Sequence, residues 1–188
     1  HTFRITGGEP LLKGFQPALR ELLYHPDMLT RFVTFETNGT QIFSFKTNFA
    51  LEHKVCSEIE HIRKFGINKN AGITWSVSPK LSNSGEKWED AIIPDALLSY
   101  NSWPMSFLYL KFVVRDEDDL TEVKEAIMMY RDAGVKIDAV YLMPETGFWH
   151  GGGPNGVYDY EVAQLALKYG YKYSPRLQIN LFGNEWGT

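Results

Sequence analysis

Short apolar runs, each ending in a polar turn, alternate with helix-length stretches of mixed character along this 188-residue chain. Phe3 and Ile5 alternate with Thr2 and Arg4, which predicts a half-buried strand ending at Ile5. Phe15, Ala18, Leu19, Leu22 and Leu23 then recur at helical spacing, predicting a helix with those residues on its inner face, stopped near His25-Pro26. Further strands are predicted over Phe32–Phe35, Ile73–Val77, Phe107–Val114 and Ala139–Met143. The Phe107–Val114 run is almost wholly apolar apart from Lys111, as expected of a strand buried on both faces.

Between these strands, Leu120, Val123, Ile127 and Tyr130 mark a helix. Acidic Asp116–Asp119 lie at its N-terminus and Gly134 at its stop, where each suits the helix ends. A short helix is predicted around Pro94–Tyr100, and a last one from an Asp159 cap through Tyr169, with Gly170 at its end. In the long segment 41–72, Leu51, Val55, Ile59 and Ile62 predict a helix, whereas Phe43, Phe45 and Phe49 show no clear period. The Gly147–Gly156 stretch is loop, and Arg176–Phe182 is a closing strand. Alternating strand and helix signals predict an α/β fold with a parallel sheet. Five parallel strands and a closing one suggest an open, partial β/α barrel, with residues 1–188 forming one domain.

In open sheets and β/α barrels, ligands bind at the carboxyl ends of the strands. Three successive strands here end in groups able to hold one: Thr6-Gly7-Gly8-Glu9-Pro10, Glu36-Thr37-Asn38-Gly39-Thr40 and Ser78-Pro79-Lys80. Glycine lets the backbone come close to a ligand, where a Cβ would stand in the way. Glu9 either shapes a ligand pocket or accepts backbone N–H bonds to hold its own turn. Asn38 has the same two readings, since asparagine tolerates and stabilises turns. Glu36 is the sharpest candidate, because a fixed carboxylate can accept both N–H donors of a 2-amino-4-oxopyrimidine edge. Lys111 interrupts an apolar strand, where an unpaired charge is expensive. It either reaches out to solvent or faces the barrel interior toward Glu36 or Glu9.

Composition narrows the field. A hydrophobic share of 44% and an aromatic share of 14% are those of a folded domain. Net charge is −4 and no basic run occurs, which argues against a direct nucleic-acid surface. No stretch approaches a membrane span. One cysteine, Cys56, excludes an internal disulfide framework and fits a reducing cytoplasm. Its own reading is a small half-buried hydrophobe. His25, His53 and His61 read as solvated, and His150 as a loop residue beside Trp149, with no second ligand at metal spacing. No catalytic residue is assigned: neither a Ser-His-Asp arrangement nor a phosphate loop is present.

TGGEPLL, ETNGT, VSPKLSNSGE, LKFVV, YLMPE and the closing RLQINLFGNEWGT together resemble radical S-adenosylmethionine (SAM) enzymes, and within them the 7-carboxy-7-deazaguanine synthase family. The resemblance runs through the whole chain in order. It implies a radical SAM-type partial barrel in which Thr6, Gly7 and Glu36 face the substrate, while Gly8, Glu9, Asn38, Ser78 and Lys80 serve SAM. It also implies that Met143-Pro144-Glu145 lies near the adenine. Gln178 stands where some relatives carry His, which departs from the pattern.

The implied reaction converts 6-carboxy-5,6,7,8-tetrahydropterin to 7-carboxy-7-deazaguanine, on the route to queuosine and other deazapurines. Its cofactors are SAM, a [4Fe–4S] cluster and Mg²⁺. Its partners are the pterin substrate and an electron donor such as flavodoxin or ferredoxin, in a cytoplasmic homodimer. The cluster loop of such enzymes has three cysteines, and no such spacing occurs here. The chain also starts at His1 inside a strand, so the expectation is that the first strand and cluster loop lie upstream, and that this portion alone is inactive and holds no metal ligand. Two other readings stay open: another radical SAM enzyme, such as a glycyl-radical activase, or a cluster-less homologue that binds a pterin or SAM.

Overall fold

The computed structural model describes residues 2–25, 27–28, 31–44, 72–103, 105–145 and 159–177. Its strands are β1 (Thr2–Ile5), β2 (Phe32–Thr37), β3 (Gly72–Val77), β4 (Ser106–Val114), β5 (Ala139–Pro144) and β6 (Lys172–Tyr173). They form one six-stranded sheet in sequence order, every pairing parallel and the sheet not closed. The helices are α1 (Gln16–Leu23), a 3-10 turn at Ser82–Ser84, α2 (Trp88–Ala91), α3 (Pro94–Tyr100), α4 (Glu117–Asp132) and α5 (Asp159–Tyr169). Among the described residues this is an open parallel α/β sheet, as the strand–helix alternation predicts.

Successive residues of a strand face opposite sides, so the register defines two surfaces. One carries Val33, Phe35, Ile73, Trp75, Val77, Leu108, Leu110, Phe112, Val114 and Leu142, all buried in a core that includes Leu120, Val123, Ala126 and Tyr130 of α4. Aromatic rings knit this core. Trp75 stacks on Phe35 at 4.8 Å on one side and on Tyr100 of α3 at 4.5 Å on the other. Phe43 fits against both Phe35 and Trp75. Burying rings of this size supplies several kcal/mol each, so the rim that ends these strands is held on a stiff base.

Several expectations need correction. The inner face of α1 is not the apolar stripe: Phe15, Ala18 and Leu22 are exposed, and Gln16, Leu19 and Leu23 turn inward. Gln16 takes a core position because its Nε2 donates to two backbone carbonyls, Leu11 O and Ile42 O, each at 2.9 Å. β1 is an edge strand, and Phe3 is exposed with Arg31 over its ring. β2 does not stop at Phe35 but runs on through Glu36 and Thr37, paired to Ser76 and Val77. β4 is not buried on both faces, since Phe107 is exposed and Tyr109, Lys111 and Val113 are half-buried. A strand that was not expected forms at Lys172–Tyr173; of the expected Arg176–Phe182 strand only Arg176 and Leu177 are described, and these are not strand. The segment 45–71 with Cys56, the 147–156 loop with His150, and residues 178–188 with Gln178 lie outside the described residues.

Candidate functional site

The second surface of the sheet is polar. Reading across the register, Arg4 lies level with Thr34 and Thr74, Glu36 with Ser76 and Tyr109, and Lys111 with Tyr141 and then Lys172. Tyr109 and Tyr141 meet edge-to-face at 5.4 Å, and Lys172 sits over the Tyr141 ring. Such a face is unusual inside an α/β sheet, where parallel strands are commonly apolar on both sides. Glu36 is its acidic centre. The Arg4 guanidinium stands 3.6 Å from one carboxylate oxygen and the Thr6 hydroxyl donates to the other at 3.4 Å. Both contacts are long and partly solvated, so each is worth little and is easily exchanged for a ligand.

Lys111 resolves one of the open alternatives: it shares this face with Glu36 and Arg4. Burial holds its ammonium below the usual lysine range; Glu36 acts against that shift and Arg4 adds to it. The Ser76 hydroxyl, between Glu36 and Tyr109, is fully buried and has no hydrogen-bond partner among the described residues.

Above this face, the strand ends form the rim. Gly7 and Gly8 adopt left-handed φ of 98° and 52°, which L side chains rarely tolerate. A Cβ at either would find no atom within 4 Å, so the space in front of the turn is open. Glu9 faces the other way and is engaged. Its carboxylate accepts from Leu11 N at 2.9 Å, Asn38 N at 2.8 Å and the Thr37 hydroxyl at 2.8 Å. One side chain thus ties the end of β1 to the end of β2. Thr37, buried on the core side, passes the link on by accepting from Gly39 N at 3.1 Å. Asn38 also bonds locally, its Oδ1 accepting from Thr40 N and the Thr40 hydroxyl. Gly39 is obligatory there: φ is 83°, and a Cβ would lie 2.6 Å from Val77 Cγ1.

The third strand end is fastened in the same manner. Ser78 N donates to Thr37 O at 2.8 Å, and its hydroxyl donates to Lys111 O at 3.1 Å. Beyond it, Asn83 Nδ2 donates to Val113 O and to Asp119, each at 3.0 Å, while Ser82 bonds Glu122 of α4 through both N–H and hydroxyl. Lys80 is half-buried between these anchors, with no hydrogen bond or ion pair among the described residues. Asp119, at the start of α4, is itself buried. Burial pushes its carboxyl up, but bonds from Arg115 and Asn83 outweigh that and hold it below the usual range. Arg115 also reaches Glu145 at 3.4 Å, which fixes the end of β5 on the same rim.

All eight expected site residues therefore lie at three neighbouring strand ends, those of β1, β2 and β3. Thr6 and Glu36 come together, whereas Glu9 and Asn38 spend their acceptors on the turns. Arg4, Ser76, Tyr109 and Tyr141 were missed. The signal for them was alternation along the strands: Thr2 and Arg4 in β1, Thr74 and Ser76 in β3, Tyr109 and Lys111 in β4, and Tyr141 between Val140 and Leu142 in β5. Among the described residues no helix is long and apolar enough to cross a membrane, and no three His, Cys, Asp or Glu side chains converge as metal ligands.

The residues present fit SAM in one respect: the open glycine turn leaves room for an amino acid moiety. They do not fit a [4Fe–4S] cluster, because the chain has a single cysteine and cluster ligation takes several thiolates.

Comparison with known proteins finds similarity to enzymes named 7-carboxy-7-deazaguanine synthase. The one from Pyrobaculum aerophilum is 34% identical over 115 residues, covering 60% of this chain and 45% of that protein. The one from Rhodopirellula baltica is 37% identical over 84 residues, covering 42% of this chain and 28% of its own length. That of Halobacterium salinarum is 30% identical over 201 aligned positions, covering 96% of this chain and 64% of its own length. The chain thus spans between 28% and 64% of the length of these relatives. No family model matches, and no solved structure matches.

Proposed function

We propose that this chain is the SAM- and substrate-binding part of a radical SAM lyase that forms 7-carboxy-7-deazaguanine from 6-carboxy-5,6,7,8-tetrahydropterin. The observation that carries the reading is Glu36: a strand-end carboxylate on a polar sheet face, next to an open glycine turn, held only by two long contacts. Three similarly named relatives support it. In this reading Glu36 accepts the 2-amino and ring N–H donors of the pterin, and Arg4 and Thr6 release it to do so. Gly7 and Gly8 leave space for the SAM methionine, Lys80 pairs with its carboxylate, and Ser78 lines the same side. Glu9 and Asn38 contribute by bracing the turns that form this pocket.

SAM would supply a hydrogen-abstracting radical only on receiving one electron from the donor named below; the protein's part is position and exclusion of water. No step is assigned to a cluster, whose thiolates this sequence does not contain. With the reading come Mg²⁺, an electron donor of the flavodoxin or ferredoxin class, a homodimer and a cytoplasmic setting, as parts of the proposal.

The test is equilibrium titration of the chain with pterin, followed by its fluorescence, and separately with SAM. Glu36→Gln keeps the shape but sets an amide NH₂ against the ligand's N–H donors. A charge-assisted contact of about 1.5–3 kcal/mol corresponds to roughly 10- to 100-fold weaker pterin binding. SAM affinity stays unchanged. Equal pterin affinity in the wild type and Glu36→Gln overturns the assignment.

A further inference from the structure

Lys111 is the half-buried cation of the polar face, and no hydrogen bond or ion pair within 4 Å is made by its ammonium among the described residues. Glu36 attracts it without coming within ion-pair distance. Glu36 is shared with Arg4 and Thr6, and Arg4 adds a second positive charge rather than relieving the first. Leu110 and Phe112, on either side in sequence, point into the core, so the backbone cannot turn Lys111 away from the face. Nearby, the buried Ser76 hydroxyl is a second group with unused hydrogen-bonding capacity. A protein does not leave an ammonium and a hydroxyl unserved on one partly dehydrated surface without cost, unless something else completes them.

We infer that Lys111 is a specificity-determining contact for the carboxylate of the ligand whose pyrimidine edge Glu36 reads. This rests on the reading under Proposed function and adds to it the residue that distinguishes a carboxylated pterin from a plain one. The register gives the spacing. β3 lies between β2 and β4, so those backbones are about 10 Å apart, and Lys111 is two residues beyond the Glu36 row, about 7 Å along the strand. With both stems rising from the sheet rather than toward each other, their charged heads stand on the order of 12 Å apart, a span of the order needed from the pyrimidine edge to a carboxylate at the far end of a two-ring heterocycle. Arg4, Lys111 and Lys172 outnumber Glu36 on this face, so it carries a net positive charge that a bound monoanion lowers.

The experiment titrates the 188-residue chain with pterin, pterin-6-carboxylate and SAM, in the wild type, Lys111→Met and Lys111→Arg. The wild type should favour pterin-6-carboxylate over pterin by on the order of tenfold, typical of one charge-assisted contact. Lys111→Met should abolish that preference while leaving pterin and SAM affinities unchanged, and Lys111→Arg should retain part of it. The thermal midpoint of Lys111→Met should not fall below that of the wild type, because that variant removes a charge the fold does not satisfy.

Equal wild-type affinity for the two pterins overturns the inference without needing any variant. So does a preference that survives in Lys111→Met, a loss of SAM affinity there, which would give the lysine to SAM, or a lowered midpoint, which would make it a structural partner of Glu36. Pterin affinity that is unaffected by Glu36→Gln is a separate outcome. It removes the proposed function, and the inference with it.

Discussion

Glu9 offers the most direct check on how the rim is built. Its carboxylate accepts Leu11 N on one oxygen and Asn38 N on the other, with the Thr37 hydroxyl between them. Glu9→Gln leaves one acceptor oxygen, so one backbone N–H loses its partner and faces an NH₂ instead. A hydrogen bond to a charged acceptor contributes about 1.5–3 kcal/mol. Because the site is only half-buried, the lower end applies, roughly 1.5–2 kcal/mol. For a domain of this size each kcal/mol shifts the midpoint by about 2–4 °C, so a fall of about 3–8 °C is expected.

Urea unfolding followed by far-UV circular dichroism measures the change directly. The variants to compare are Glu9→Gln, Thr37→Val and the pair. Thr37→Val removes the donor to Glu9 and the acceptor of Gly39 N, so the two losses overlap. The double variant should therefore fall short of their sum by about 0.5–3 kcal/mol. If Glu9→Gln unfolds within about 0.5 kcal/mol of the wild type, or the pair is strictly additive, the carboxylate is not a brace and is free to meet a ligand.

Two further substitutions probe the other anchors. Gly39→Ala places a methyl 2.6 Å from Val77 Cγ1 at a φ of 83°, so left-handed strain and overpacking together should cost about 2–5 kcal/mol; unchanged urea stability would mean the turn has relaxed elsewhere. Asp119 has a depressed carboxyl pKa in the folded state, so its contribution is present above the unfolded value of about 3.9 and is lost as pH falls through the lower folded value. Asp119→Asn should accordingly unfold more easily than the wild type by about 1.5–3 kcal/mol at pH 7, with the gap closing below about pH 4, and a gap that persists at pH 2 would refute the linkage.

How much of this was readable beforehand differs by element. α4 and the strand cores were legible because a single period, 3.6 or 2, governs residues that are all apolar, such as Leu120, Val123, Ile127 and Tyr130. α1 was misread because the apolar-inside rule assumes polar groups stay wet. Gln16 breaks it by finding two carbonyls, Leu11 O and Ile42 O, that only the folded chain brings together. β4 was misread for the converse reason: Phe107 and Tyr109 are hydrophobic by composition yet line the polar face. The three rim turns could be placed from glycine and strand ends alone. Which of their carboxylates is committed and which is spare could not, because that depends on Thr37 standing next to Glu9, 28 residues away in sequence.

That last distinction separates two kinds of polar residue that a sequence presents alike. Glu9, Asn38, Asn83 and Asp119 are engaged by partners within the chain, and removing any of them strands a donor or, for Asn83, the acceptors Val113 O and Asp119. Their energy is spent on fixing where the strand ends stand. Glu36, Ser76 and Lys111 sit one layer below, on the same sheet, with long, shared or absent partners. A saturated group gains nothing from a ligand, since binding would first have to break what it already holds. An unsaturated group gains the whole of a new contact and relieves its own desolvation at the same time. The saturated rim therefore reads as the frame and the unsaturated face as the recognition surface, so substitutions in the first set should move stability and those in the second should move affinity.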